Sequence, residues 1–150
     1  DLANEELKGR PSRWVGAVVA PAAGPVEPQI IKREKKVRAG AQFFQTQAVY
    51  DPKTFESFMS QVKHLNVAVM VGIVLLRSAG MARFMNKNVA GIHVPDALIE
   101  EMDKAEDRTK KGVEIAGRLI REMKGMCQGV HIMAIGTEKL VPAILDAAGL

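Results

Sequence analysis

The chain has 150 residues, 47% hydrophobic and 25% charged, with a net charge of +4. That is enough for one domain with a buried core, and it excludes disordered, fibrous and low-complexity classes. One cysteine excludes an internal disulfide, and aromatics at 5% among dispersed basic residues speak against nucleic-acid binding. The opening DLANEELKGR is polar, so no signal peptide is expected. The longest apolar run, Val67–Leu76, is too short to span a bilayer. A cytoplasmic address with no membrane partner is therefore expected. The chain begins with Asp rather than Met, inside what reads as a connecting segment, which suggests an N-terminal truncation.

In chain order, the first element is an apolar, β-rich run over Trp14–Ala20. A helix is predicted over Gln29–Ala39, stopped by Gly40. Gln42–Gln47 reads as the second strand, more polar towards its end. Asp51-Pro52 caps a helix through Leu65, with Phe55, Phe58, Met59 and Val62 at helical spacing. Val67–Leu76 is the third strand, and its continuous apolar character is that of a strand buried on both faces. Three helices follow, over Ser78–Asn86, Pro95–Ala105 and Lys110–Met126, and then a strand over Val130–Ile135 and a helix over Glu138–Ala148. The methionines 81, 85, 102, 123, 126 and 133 read as core fillers.

Strand and helix alternating in this way predict right-handed βαβ units and a parallel sheet. The units suit an open sheet or the last four units of a (β/α)8 TIM barrel, which needs about 250 residues when complete. No G-x-G-x-x-G run follows the first strand, against a dinucleotide-binding open sheet.

Ligands in parallel α/β folds sit at the C-terminal ends of the strands. Gln45 and Gln47 share one face of the second strand near that end. The Gln47 amide offers two donors and an acceptor, suited to a heterocycle edge, although bonding to a loop backbone remains open. Lys32 and Lys36 share one face of the helix leading into that strand, with Lys35 beside them. They suit a phosphorylated ligand, or a solvated face paired with Glu34. His131 reads as a packed, hydrogen-bonded strand residue, and the three histidines and Cys127 show no metal-ligand spacing. No Ser-His-Asp or Cys-His arrangement is legible, and Glu138 reads as a cap of the last helix.

Three segments carry a resemblance. AGAQFFQTQAVYD (39–51) resembles the sixth-strand region of methylenetetrahydrofolate reductases, MARFMNKNVAGIHVPDALIEEM (81–102) the stretch between their seventh and eighth strands, and GVHIMAIGTEKLVPAILDAAGL (129–150) their last strand and helix. The resemblance implies a (β/α)8 barrel binding FAD at its rim and the reduction of 5,10-methylenetetrahydrofolate to 5-methyltetrahydrofolate in one-carbon metabolism. NAD(P)H or another donor would supply the electrons. It matches Gln47 to a folate-binding glutamine and Lys36 to an FAD-binding residue, with Lys35, Lys32 and Gln29 on the same cofactor-facing helix. Ala20, Gly24, Ala79 and Gly136 stand where some members carry larger residues, which suggests a different donor or a partner subunit. The family's general acid is expected in an N-terminal half outside this chain, so no catalytic residue is assigned here. The fragment alone is expected to be inactive, and to form homo-oligomers through its open sheet edges. The alternatives are a non-redox folate-binding or assembly module, and an unrelated barrel enzyme with a phosphate site near Gly72 and Gly136.

Overall fold

The structure, a computed structural model, describes Gly9 and residues 13–150. The polar opening segment, apart from Gly9, lies outside the described residues. The elements follow the predicted order: β1 (Gly16–Val19), α1 (Val26–Arg38), β2 (Phe43–Ala48), α2 (Pro52–Val62), β3 (Ala68–Val74), α3 (Ala79–Asn88), α4 (Asp96–Asp103), α5 (Arg108–Met123), β4 (Gly129–Met133) and α6 (Val141–Ala148). Short 3-10 turns at Lys63–Leu65 and Glu138–Leu140 stand where continuous helix was predicted.

Helix starts follow local chemistry. Asp51, Ser78 and Asp107 each turn a side-chain oxygen onto a backbone N–H of the first turn of α2, α3 and α5. These bonds satisfy donors that have no partner inside the helix. Ser78, predicted as the first helical residue, is the cap itself.

All strand pairs are parallel, and the four strands lie in the order β1-β2-β3-β4. Strand order without reversal is that of a singly wound sheet, as in a barrel, rather than of a doubly wound one. The two faces of the sheet differ. Along β2, Phe44, Thr46 and Ala48 are buried, while Phe43, Gln45 and Gln47 between them are half-buried. Along β3, Val69, Val71 and Ile73 are fully buried. This face packs under the helices, with Phe55 and Phe58 of α2 and Ile115, Ile120 and Met123 of α5 fully enclosed. Each such side chain contributes roughly 1.5–3 kcal/mol of transfer free energy. The other face carries Val18, Gln45, Gln47, Met70 and His131 and has no helix over it. The chain is thus an α/β unit of four parallel strands covered on one side, the arrangement of a partial TIM barrel.

On the open face, Gln45 Nε2 donates to His131 Nδ1 at 3.4 Å, spanning β3 between them. Side chains from alternate strands meeting in one layer are the packing rule of barrel interiors. His131 is therefore hydrogen-bonded within the sheet.

β2 carries a bulge. Gln45 pairs with Met70 and Ala48 with Gly72, so three steps on β2 match two on β3. Thr46 Oγ1 accepts from the Gly72 N–H at 2.8 Å and donates to the Gln47 carbonyl at 2.7 Å, filling the gap in the ladder. A Cβ on Gly72 would lie 2.3 Å from the Thr46 carbonyl oxygen. Only glycine lets the two backbones come this close.

Candidate functional site

The bulge ends at the rim where β1 and β2 give way to loops, and it brings Gln47 to that rim. Gln29, Lys32 and Lys36 of α1 line one cleft of about 300 Å³ together with Gln47 and the end of β1. The spacings of three, four and seven residues keep the three α1 side chains on one face of the helix. Lys35 stands apart, exposed and outside this cleft. Glu34 bonds Arg38 and lies 3.5 Å from His64, so its carboxylate is engaged away from the lysines. Among the described residues no carboxylate lines the cleft. Lys36 Nζ donates to the Val18 carbonyl at 2.5 Å and keeps two further protons for another acceptor.

Sequence reading missed a third cation in the wall, Arg33. Arg33 is 3% exposed. Its Nη1 donates to Gln61 Oε1 at 2.9 Å, and its guanidinium lies 4.7 Å over the ring of Phe58. Burial pulls its pKa down from the ordinary arginine value, yet a guanidinium keeps its proton at neutral pH. Among the described residues no carboxylate pairs with it. The signal available in the sequence was a basic residue four positions after Gln29, on the same helical face.

On its other side Gln47 borders a second, apolar groove of about 480 Å³, formed by Val74, Met81, Phe84, Ile92, Met133 and Ile135, with Arg77 as its one charged residue. Phe84 and Ile135 are 61% and 63% exposed, unusual for side chains of their size. Met81 and Met133, predicted as core fillers, line this groove; Met85, Met102 and Met123 are buried as expected, and Met126 is half-buried. Gln47 is the divide between a cationic cleft and an apolar groove. Its Oε1 is buried and is the one such side-chain atom among the described residues without a hydrogen-bond partner. An orphaned buried acceptor costs about 1–3 kcal/mol, and a donor from a ligand would recover it.

Gly72 and Gly136 are committed elsewhere. Gly72 closes the bulge, and the Gly136 N–H donates to Glu138 Oε1 at 3.0 Å. A bond from its own backbone N–H, and then that one, hold the Glu138 carboxyl below its usual range. Glu138 thus takes the loop N–H that a bound phosphate would need. Among the described residues no cluster of histidine, cysteine, aspartate or glutamate could hold a metal, and no helix is long and apolar enough to cross a membrane.

Comparison with known proteins agrees with this geometry. The sequence model of one family, described as methylenetetrahydrofolate reductase, matches residues 17–149. Methylenetetrahydrofolate reductase 2 of Schizosaccharomyces pombe is 27% identical over 130 residues, covering 77% of this chain and 20% of that protein. The chain therefore spans about a fifth of the length of that curated relative. The family match runs from the second residue of β1 through α6 and takes in the cationic cleft and the apolar groove. The chain belongs to the methylenetetrahydrofolate reductase family.

Proposed function

We propose that these residues form part of an FAD-dependent oxidoreductase of one-carbon metabolism that reduces 5,10-methylenetetrahydrofolate to 5-methyltetrahydrofolate, the methyl donor used in making methionine. The observation that supports it most is the convergence of Gln29, Lys32, Lys36 and Gln47 on one cleft at the strand C-termini, next to an apolar groove. The residues fit the cofactor. Among the described residues no carboxylate pairs with Lys32 or Lys36, which are point charges for a diphosphate, and Gln29 is a neutral donor and acceptor beside them. FAD supplies two-electron chemistry, linking NAD(P)H or another donor to the folate.

The chain's own part is binding and orientation. Gln47 offers its amide to the heterocyclic edge of the folate, and the groove of Met81, Phe84, Ile92 and Ile135 takes a flat apolar ring. Opening the five-membered folate ring needs a general acid. Among the described residues neither the cleft nor the groove is lined by a carboxylate, so the acid is proposed to come from residues other than these. Residues 1–150 on their own are accordingly proposed to be inactive.

The test uses the full-length protein. Yellow flavin absorbance that bleaches on adding NAD(P)H and returns on adding 5,10-methylenetetrahydrofolate is the expected result. Replacing both Lys32 and Lys36 by alanine should weaken FAD retention by about tenfold or more and flatten its dependence on salt, since each lysine gives up a charge-assisted contact. Colourless full-length protein would overturn the redox reading. If it still bound 5-methyltetrahydrofolate, the non-redox folate-binding module would take its place.

A further inference from the structure

We propose that Gly91 is a positioning residue for the Gln47 amide, leaving it room to turn towards its ligand; the inference rests on the reading of Gln47 as a folate-binding residue. The loop between α3 and α4 crosses the rim above β1 and β2. A Cβ on Gly91 would lie 2.6 Å from Gln47 Oε1 and 3.1 Å from the Ala20 Cβ. The first distance is below any contact real Cβ atoms make, so one of the two groups would have to move.

The loop is tethered at both ends. Asn86 Oδ1 accepts from the Val94 N–H at 2.7 Å, and its Nδ2 donates to the Val94 carbonyl at 2.9 Å. At the other end the Val89 N–H donates to the Met85 carbonyl at 2.9 Å. Ala20 closes the remaining side. The amide of Gln47 is the soft partner, since its terminal torsion is broad.

With glycine at position 91 the amide can rotate, presenting oxygen or nitrogen to the ligand. The Oε1 beneath Gly91 is buried without a partner, so a turn that brings it to a donor on the ligand recovers a hydrogen bond. A side chain at position 91 would fix the amide in one orientation or push it out of reach of the ligand.

The experiment measures 5-methyltetrahydrofolate affinity in the full-length protein. Gly91 has φ +82° and Gly40 φ +101°, but a Cβ on Gly40 meets nothing within 4 Å. Gly40→Ala therefore controls for backbone strain alone. Gly91→Ala is expected to weaken binding about tenfold relative to Gly40→Ala, and to add nothing in a Gln47→Ala background. Equal affinities for Gly91→Ala and Gly40→Ala, or an undiminished Gly91→Ala effect when Gln47 is already alanine, would overturn the inference. If Gln47→Ala alone leaves the affinity unchanged, the folate role of Gln47 fails, and this inference with it. Should Gly91→Ala not fold, Gly91→Asn carries the same test, because asparagine accepts positive φ more readily and still reaches Gln47.

Discussion

Ile135 follows β4 with φ +47°, and a β-branched side chain in the left-handed region costs about 1–3 kcal/mol. Its side chain is also a wall of the apolar groove. Ile135→Gly is expected to raise stability by about 1 kcal/mol in denaturant titration while lowering ligand affinity, since it removes strain and a contact surface together. Asp51 makes the opposite kind of contribution. Its Oδ2 accepts from the Thr54 hydroxyl at 2.7 Å and its Oδ1 from the Lys53 N–H at 3.1 Å, and these bonds, the Thr54 one foremost, hold its carboxyl below the usual range. Asp51→Ala should cost about 1 kcal/mol at neutral pH. A carboxyl with a depressed folded-state pKa stabilises above its unfolded value, about 3.9, and loses that contribution as pH falls through the folded value. The stability gap between wild type and Asp51→Ala should therefore shrink in acid, as urea midpoints measured across pH will show. Asp51-Pro52 was legible because a cap is a local pattern. Arg33 was legible only as one more cation on the Gln29 face of α1: its burial depends on Phe58 and Gln61, and nothing local marks which cation will stack on a distant ring.

At the scale of elements, the number, type and order of strands and helices could be read from periodicity, whereas their ends could not. Leu75 and Leu76 continue the apolar run of β3 and are buried, but they belong to the connection into α3. An apolar run reports burial, and a buried loop satisfies it as well as a strand does. Trp14 and Val15 precede β1 for the converse reason: Trp14 is 77% exposed, and Val15 bonds Gln42, the residue ahead of β2, accepting from its backbone N–H and donating to its side-chain oxygen. The β2 bulge had no signature in the sequence, since it depends on Gly72 of the next strand. Gly72→Ala is expected to destabilise by about 3 kcal/mol, because the new methyl meets backbone rather than a movable side chain. Loss of the bulge should also turn Gln47 off the rim, so weakened folate binding should accompany the lower melting temperature. A Gly72→Ala protein with unchanged affinity would detach the bulge from the site.

For the molecule as a whole, one sheet face is packed and the other is open, and β1 and β4 are edge strands among the described residues. Val18, at 59% exposure, lies on the β1 edge strand, with Trp14 exposed just before it. Unpaired strand edges beside apolar surface recruit other chains. Residues 1–150 expressed alone should therefore run as dimers or larger species in light scattering; a monodisperse monomer would show that the open face is stable in water. A parallel βαβ layout was legible from strand–helix alternation, and the partial barrel from the length and the family resemblance. Which face would be left uncovered follows from the alternation within β2, visible once the buried set is known.

The bond from Lys36 to the Val18 carbonyl ties this open edge to the ligand cleft. The Val15 carbonyl accepts from the Gln42 N–H on the β2 side, so by strand alternation the Val18 carbonyl points outward, along the free margin. A strand docking on that margin would claim the carbonyl with its own N–H and release the ammonium into the cleft. Docking and anion capture would then favour each other, and by linkage each would tighten the other to the same degree. A lysine that shields a lone margin becomes, on closure of the wall beside it, a charge available to the bound cofactor.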